Sequence, residues 1–169
     1  MMASLFSRSK PLLVSLLIVT VFLLAAVLVQ VNGDSMVPSL ADNQIALVLR
    51  QSEIERFDIV VIKDSKKPSK RVIKRIIGLP GDELSYKEDQ LFINNQPVSE
   101  PFLVEIKEAL AKDSLLTENI EKIKIPENSY FVLGDNRKIS LDSRLTGAVH
   151  EDMIIGEAKF TLWPPRKIR

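Results

Sequence analysis

The sequence predicts a mainly β domain behind a single N-terminal membrane helix, with a small subdomain inserted into the β part. Three observations carry this. Pro11 to Gly33 is the only long uncharged run in the chain of 169 residues. Short β-branched runs recur from Ile45 onward, punctuated by Gly, Pro and Asn. Between Leu103 and Lys122 the pattern changes, with Leu103, Ile106, Ala109 and Leu110 at three- and four-residue spacing among Glu and Lys.

The first element is the uncharged run. Pro11 to Val31, at about 1.5 Å per residue, gives a helix of roughly 31 Å, enough to cross a hydrocarbon core of about 30 Å. Pro11 suits a first helical turn. The run is longer than the core of a cleaved secretory signal, and Val-Gln-Val-Asn-Gly offers no small-x-small cleavage site. Arg8 and Lys10 predict a cytoplasmic segment 1–10, a transmembrane helix 11–31 and residues 34–169 on the outer face of the cell membrane.

Strands follow at Ile45–Leu49, Phe57–Ile62 and Arg71–Ile77. The second has consecutive apolar residues, as burial on both faces requires. Pro80-Gly81 fits the centre of a type II turn. Glu83–Tyr86 and Gln90–Ile93 flank a hairpin turn that Asn94–Pro97 closes. One or two short helices are expected within Leu103–Lys122. Strands return at Ser129–Leu133, Met153–Gly156 and Lys159–Trp163, the last ended by Pro164-Pro165. Residues of about 83–125 form the inserted subdomain.

Composition narrows the chemistry. Lys plus Arg is 23 and Asp plus Glu is 22, so no strong field draws nucleic acid. The absence of cysteine excludes disulfides, thiolate nucleophiles and cysteine metal sites. A histidine-based triad has only His150 available. That residue sits in a polar Val-His-Glu-Asp stretch without a recognisable acidic orienter. One histidine among scattered carboxylates makes no metal cluster.

Three places remain for a reaction. Ser35 follows the apolar run in Gly33-Asp34-Ser35-Met36-Val37-Pro38. Alone it reads more readily as a loop hydroxyl bonded to its neighbours than as a nucleophile. A nucleophilic serine needs a base. Lys74 lies within Val-Ile-Lys-Arg-Ile-Ile. At a pKa of about 10.4 only about one lysine in 2,500 is neutral at pH 7. Desolvation lowers that pKa, and two units require roughly 2.7 kcal/mol. The alternative turns Lys74 to solvent beside Lys70 and Arg71. Finally, Ser140, Asp142 and Arg144 alternate, which in an extended segment sets them on one face as a rail for a lysine amine. The alternative is an exposed Asp–Arg pair worth about 0–1 kcal/mol.

The ordered set closely resembles bacterial type I signal peptidase, the leader peptidase family. It comprises the apolar helix, Gly-Asp-Ser-Met-Val-Pro-Ser-Leu, Phe-Asp-Ile-Val-Val, Ile-Lys-Arg-Ile-Ile-Gly-Leu-Pro-Gly-Asp, Gly-Asp-Asn-Arg-x-x-Ser-x-Asp-Ser-Arg and Trp-Pro. The single anchor and short insertion look like the smaller Gram-positive enzymes. The resemblance implies an antiparallel β-sheet catalytic domain of signal-peptidase type. It implies a serine endopeptidase with a Ser–Lys dyad and no metal or cofactor, acting on signal peptides of exported preproteins after Ala-x-Ala. The bilayer and proximity to the secretion translocon come with it; nucleic acid does not. By the same resemblance Ser35 and Lys74 are catalytic. Ser140 orients the lysine, and Asp142 with Arg144 forms a supporting salt bridge. Val31, Met36, Leu40, Val72 and Ile73 line the substrate pocket. The oxyanion hole falls on the Ser35 backbone and the Gly33 region, where some members carry an assisting serine and this chain has Gly33. A non-catalytic relative assisting surface-protein or pilus assembly is the alternative; retention of Ser35 and Lys74 argues against it. A LexA-type self-cleaving enzyme fits the anchor poorly.

Overall fold

Consecutive apolar residues in one short strand can be buried only between two layers, and Ile59–Lys63 (β3) is such a strand. Ile59 and Val61 face one core, while Val60 and Ile62 face another. The computed structural model describes residues 14–15, 25–50, 52–64, 67, 69–111, 114–162 and 165–168. Around β3 it builds an antiparallel sheet from Ala26–Gln30 (β1), Ile45–Leu49 (β2), Arg71–Gly78 (β4), Ser129–Leu133 (β9), Val149–His150 (β10) and Ile154–Leu162 (β11). The order is β1-β2-β11-β3-β4-β9-β10, and Pro165–Lys167 (β12) pairs with β11. A second antiparallel sheet holds Gln96–Val98 (β7), Gln90–Ile93 (β6), Glu83–Lys87 (β5) and Ile120–Lys124 (β8), in that order. Its core of Leu84, Tyr86, Leu91, Ile93 and Ile125 packs on Ile77, Phe131 and Leu133 of the main sheet. The insertion is therefore a small sheet sharing a core with the larger one.

Much of the expected membrane helix lies outside the described residues. Its last part is corrected: Ala26–Gln30 is a strand, paired along its length with Ile45–Leu49. The uninterrupted apolar run conceals the change. Val29 and Val31 point into the core while Leu28, Gln30 and Asn32 point out, which is a period of two. Among the described residues no helix is long and apolar enough to cross a membrane.

Other differences have local causes. The Leu103–Lys122 region holds one short helix, Val104–Glu108, and Ile120–Lys124 is a strand of the small sheet. The helix buries none of its own residues and so has nothing to extend it. Asn94 and Asn95 both take positive φ. They turn the chain into β7 rather than closing the hairpin, a geometry Asn tolerates well. The two late strands are one, β11, with register shifts near Ile154–Gly156 and Ala158–Phe160. Strand pairing ends at Leu162, and β12 folds back on it. Gly81 has φ +80°, as the turn at Pro80-Gly81 requires.

Gly156 sits where β11 passes β2. A Cβ built there meets the Leu49 carbonyl oxygen at 2.2 Å. Gly156→Ala is expected to destabilise the domain by about 1–3 kcal/mol, through forced separation of β11 and β2. Urea unfolding measures it; an unchanged midpoint would show that β2 yields freely.

Candidate active site

The Ser35 loop is held from several sides. Leu40 N–H donates to Met36 O at 2.9 Å, and Val31 is clamped by backbone bonds with Gln44 and Asn43. Met36 and Leu40 are buried in the main core and anchor the turn. The Ser35 carbonyl accepts from the Asn136 N–H at 3.1 Å. Gly134 makes that approach possible: a Cβ there would lie 2.5 Å from Ser35 O and 2.3 Å from Ser140 Oγ.

Lys74 comes from β4, opposite Val60 of β3. Its side chain is only 5% exposed, and Val60, Ile62, Ile76 and Val132 fill the core beside it. Its Nζ donates to Ser35 Oγ at 3.0 Å. Burial lowers the Lys74 pKa, opposed by the negative charges of Asp142 and Asp135 and assisted by Arg144 and Lys70; the net shift is downward. The solvent-facing alternative is excluded by this burial.

The Gly134–Arg144 segment is not the extended rail. Asp142 caps a short helix, Ser143–Thr146, so Arg144 lies in a helical turn. The capping propensity of Asp outweighs the alternation. The ion pair still forms, since Arg144 Nε reaches Asp142 Oδ1 at 2.8 Å and Nη2 reaches Oδ2 at 2.9 Å. Gly134 N–H also donates to Oδ2, at 3.1 Å. Burial pushes the Asp142 carboxyl up, but hydrogen bonds from Arg144 and Gly134, the Arg144 charge and the nearby Ser140 hydroxyl outweigh it. Its pKa is lowered overall. The Ser140 hydroxyl is buried against Gly134 without a hydrogen bond of normal geometry, and none joins it to Lys74.

A cleft of about 490 Å³ opens onto Ser35 and Lys74. Val31, Met36, Val72 and Ile73 line it, as do Leu141 and Ala148. Leu40 does not; it is fully buried in the core beneath the loop, which corrects its assignment to the pocket. The Gly33 part of the oxyanion assignment is also corrected. Its N–H is already given to Asp42 Oδ1 at 2.7 Å. The Ser35 N–H donates to no described acceptor. Gly33 has φ +82° and open space at its Cβ position, so the backbone favours glycine here although a side chain has room. His150 lies at the far end of the cleft, exposed and 3.3 Å from Asp152. Among the described residues no cluster could hold a metal ion.

The sequence reading passed over Arg75 and Asp135. Their side chains are fully buried and paired at 2.7 Å. In the sequence Asp135 stands between Gly134 and Asn136, a pattern typical of a turn. Its place between two glycine- and asparagine-type breakers gave no sign of an interior ion pair.

A family model described as signal peptidase, peptidase S26, matches residues 3–163. The chain belongs to the signal peptidase family. It is 39% identical to signal peptidase I of Bacillus licheniformis, over 98% of this chain and 92% of that one. It is 40% identical to signal peptidase I U of Bacillus subtilis strain 168, over 82% and 76%. A crystal structure of a signal peptidase I from Enterococcus faecalis V583 matches with TM-score 0.59 and 36% identity, over 63% of this chain and 97% of that chain. The mainly β signal-peptidase fold and the serine endopeptidase class follow from these relationships.

An amine buried in this way leads to two expected pH effects. The acid limb of kcat/KM for a peptide substrate is expected at the lowered Lys74 pKa, below the ordinary lysine value. A limb at about 10.4 would exclude Lys74 as the base. For stability, the unfolded chain binds more protons between the folded and unfolded lysine pKa values. Stability contributed at this position therefore rises with pH across that window. Lys74→Met removes a buried amine whose charged form is penalised by desolvation, so its unfolding midpoint at neutral pH is expected at or above that of the parent. A loss above about 1 kcal/mol would contradict the desolvation account.

Proposed function

We propose that this chain is a membrane-anchored signal peptidase I that removes signal peptides from exported preproteins, with Ser35 as nucleophile and Lys74 as its base. The observation that carries this is the 3.0 Å contact between Ser35 Oγ and a lysine amine buried among apolar side chains. Neutral Lys74 takes the Ser35 proton as Oγ attacks the scissile carbonyl carbon. The Ser35 N–H stabilises the resulting oxyanion. The Lys74 ammonium then protonates the departing amine, leaving an ester on Ser35. Neutral Lys74 next takes a proton from water as that water attacks the ester. Collapse releases the acid and returns the proton to Ser35. Asp142, held by Arg144 and neighboured by Ser140, limits how far the lysine pKa falls and keeps the amine in place.

Substrate binding follows from the open side of β4. Strand β9 pairs with Arg75, Ile76 and Gly78 only, so the edge of Arg71–Lys74 away from β3 has no strand on it among the described residues. An extended peptide adds there and places the residue before the cut against Val31, Met36, Val72 and Ile73. That apolar lining suits a small side chain. The segment before β1 anchors the chain in the cell membrane, with residues 1–10 cytoplasmic and the catalytic domain outside. Because β1 starts at Ala26, the anchor passes almost directly into the sheet beside Ser35. Enzyme and preprotein then meet in one bilayer, near the translocon, at raised effective concentration.

In a cleavage assay with an Ala-x-Ala peptide, Ser35→Ala and Lys74→Met are each expected to lower kcat/KM by at least about a hundredfold. His150→Ala should change it by less than about threefold, because the Ser35 hydroxyl is bonded to Lys74 while the exposed imidazole is turned to Asp152. Retained activity in either dyad variant, or a large loss in His150→Ala, would require a different base.

A further inference from the structure

The far end of the cleft is chemically unlike its catalytic end. Lys63, Lys70 and Arg71 line it, with Asp64 and His150. Lys63 and Arg71 are directly opposite each other across the β3–β4 ladder, and both are exposed. Like charges in that position destabilise a sheet. Among the described residues, none of the three cations has a carboxylate partner. Lys63 Nζ reaches only the Asp152 backbone carbonyl, at 3.3 Å. Nearby acids are otherwise engaged. Asp64 accepts the Lys67 N–H, Asp152 faces His150, and Asp142 is held by Arg144 at the catalytic end. Lys63, Lys70 and Arg71 therefore stand without an ion pair, among the described residues, at the mouth of the active cleft.

Its place along β4 sets the register. Lys70 and Arg71 precede Lys74 by four and three residues on the edge open to a peptide. At about 3.3 Å per residue, that is roughly 10–13 Å along the strand from Lys74, which contacts Ser35. We propose that this end of the cleft is a charge-selecting subsite. It favours an acidic side chain, and rejects a basic one, about four to six residues before the scissile bond. The inference rests on the proposed peptidase activity and names a specificity of the same cleft. The cations are solvent-exposed, so discrimination is modest and falls with salt, about three- to tenfold at low ionic strength. A membrane-surface role for the same cations is less favoured, because they line the cavity that reaches Ser35.

The test uses peptides with Ala-x-Ala before the cut and Glu, Gln or Lys at the fourth, fifth or sixth residue upstream. The Glu to Lys ratio of kcat/KM is measured for the parent and for Lys70→Gln/Arg71→Gln, at low and high salt. Binding of the same peptides to Ser35→Ala protein gives a ratio independent of turnover. Expected is a ratio of about three to ten at one of these positions, approaching one in the double variant and at high salt. Equal ratios in parent and variant, or a ratio near one throughout, would overturn the subsite. A ratio kept in binding while the Gln peptide is never cleaved would sustain the subsite and sink the peptidase reading. If the double variant loses affinity for phosphatidylglycerol vesicles but keeps the parental ratio, the cations serve the membrane surface and the subsite is wrong.

Discussion

The fully buried pair of Arg75 and Asp135 is the constraint on which the site depends. Arg75 Nε and Nη2 meet the two carboxylate oxygens at 2.8 and 2.7 Å. The same guanidinium donates to the Phe57 carbonyl and to Ser39 Oγ, and its charge lies 3.9 Å from the centre of the Phe102 ring. One side chain thus joins the serine loop, the approach to β3, the small subdomain and the loop after β9. A buried ion pair is weak evidence for stability, since two apolar residues often do as well. What it supplies is position. Either partner left alone would be an uncompensated interior charge, so the segments carrying them cannot drift apart without a large penalty.

Lys74 and Arg75 are adjacent in sequence and face opposite sides of β4. That alternation gives the two cations opposite fates. Arg75 is matched fully by a carboxylate and remains a charged structural element. Lys74 has no such contact. It donates to the Ser35 hydroxyl, and the Asp142 and Asp135 charges only moderate the desolvation that lowers its pKa. Arginine suits the first role because its planar fork binds bidentately and never loses its proton. Lysine suits the second because burial can neutralise it. Exchanging the two residues would destroy both arrangements although the local charge would not change.

These roles were unequally legible in the sequence. Ser35 and Lys74 stood out because one follows the apolar run and the other interrupts an apolar strand. The strand order could not be read: β11 lies between β2 and β3, with partners such as Ile154 and Ile62 or Thr161 and Ala46 far apart in the chain, and such pairings leave no local trace. Most strands were legible because their apolar periods are short and bounded by turns. Ala26–Gln30 was not, since a continuous apolar run satisfies helix and strand patterns alike until its pairing partner is known. The alternation of Ser140, Asp142 and Arg144 misled for a different reason. Asp is disfavoured in strands and favoured as a helix cap, a preference the alternation conceals, and the tertiary position of Ser143, whose hydroxyl accepts the Val132 N–H, holds the cap in place. Leu40 was assigned to the pocket by motif position, but motif position does not distinguish a pocket wall from the layer beneath it.

The inserted sheet has an electrostatic connection to the dyad as well as a packing one. Arg137 is buried and donates to Glu100 Oε1 at 2.6 Å, to the Tyr86 hydroxyl at 3.0 Å and to Thr117 Oγ1 at 2.9 Å, all from the insertion. Tyr86 in turn donates to Glu100 Oε1 at 2.7 Å. Arg137 also returns to the Gly134 carbonyl, while its own carbonyl accepts from Arg144 Nη2 at 2.7 Å. Arg144 then holds Asp142, whose charge opposes the fall in the Lys74 pKa. Each link is a hydrogen bond between buried or half-buried groups, so loosening one leaves the next unsatisfied. The insertion is therefore linked to the cleft without lining it: it fixes the backbone of the loop that carries Asp142, whose charge acts on Lys74. A shorter turn between β4 and β9 would leave Arg137 only the Gly134 carbonyl, and the loop that sets the Asp142 charge near Lys74 would lose its support from the insertion.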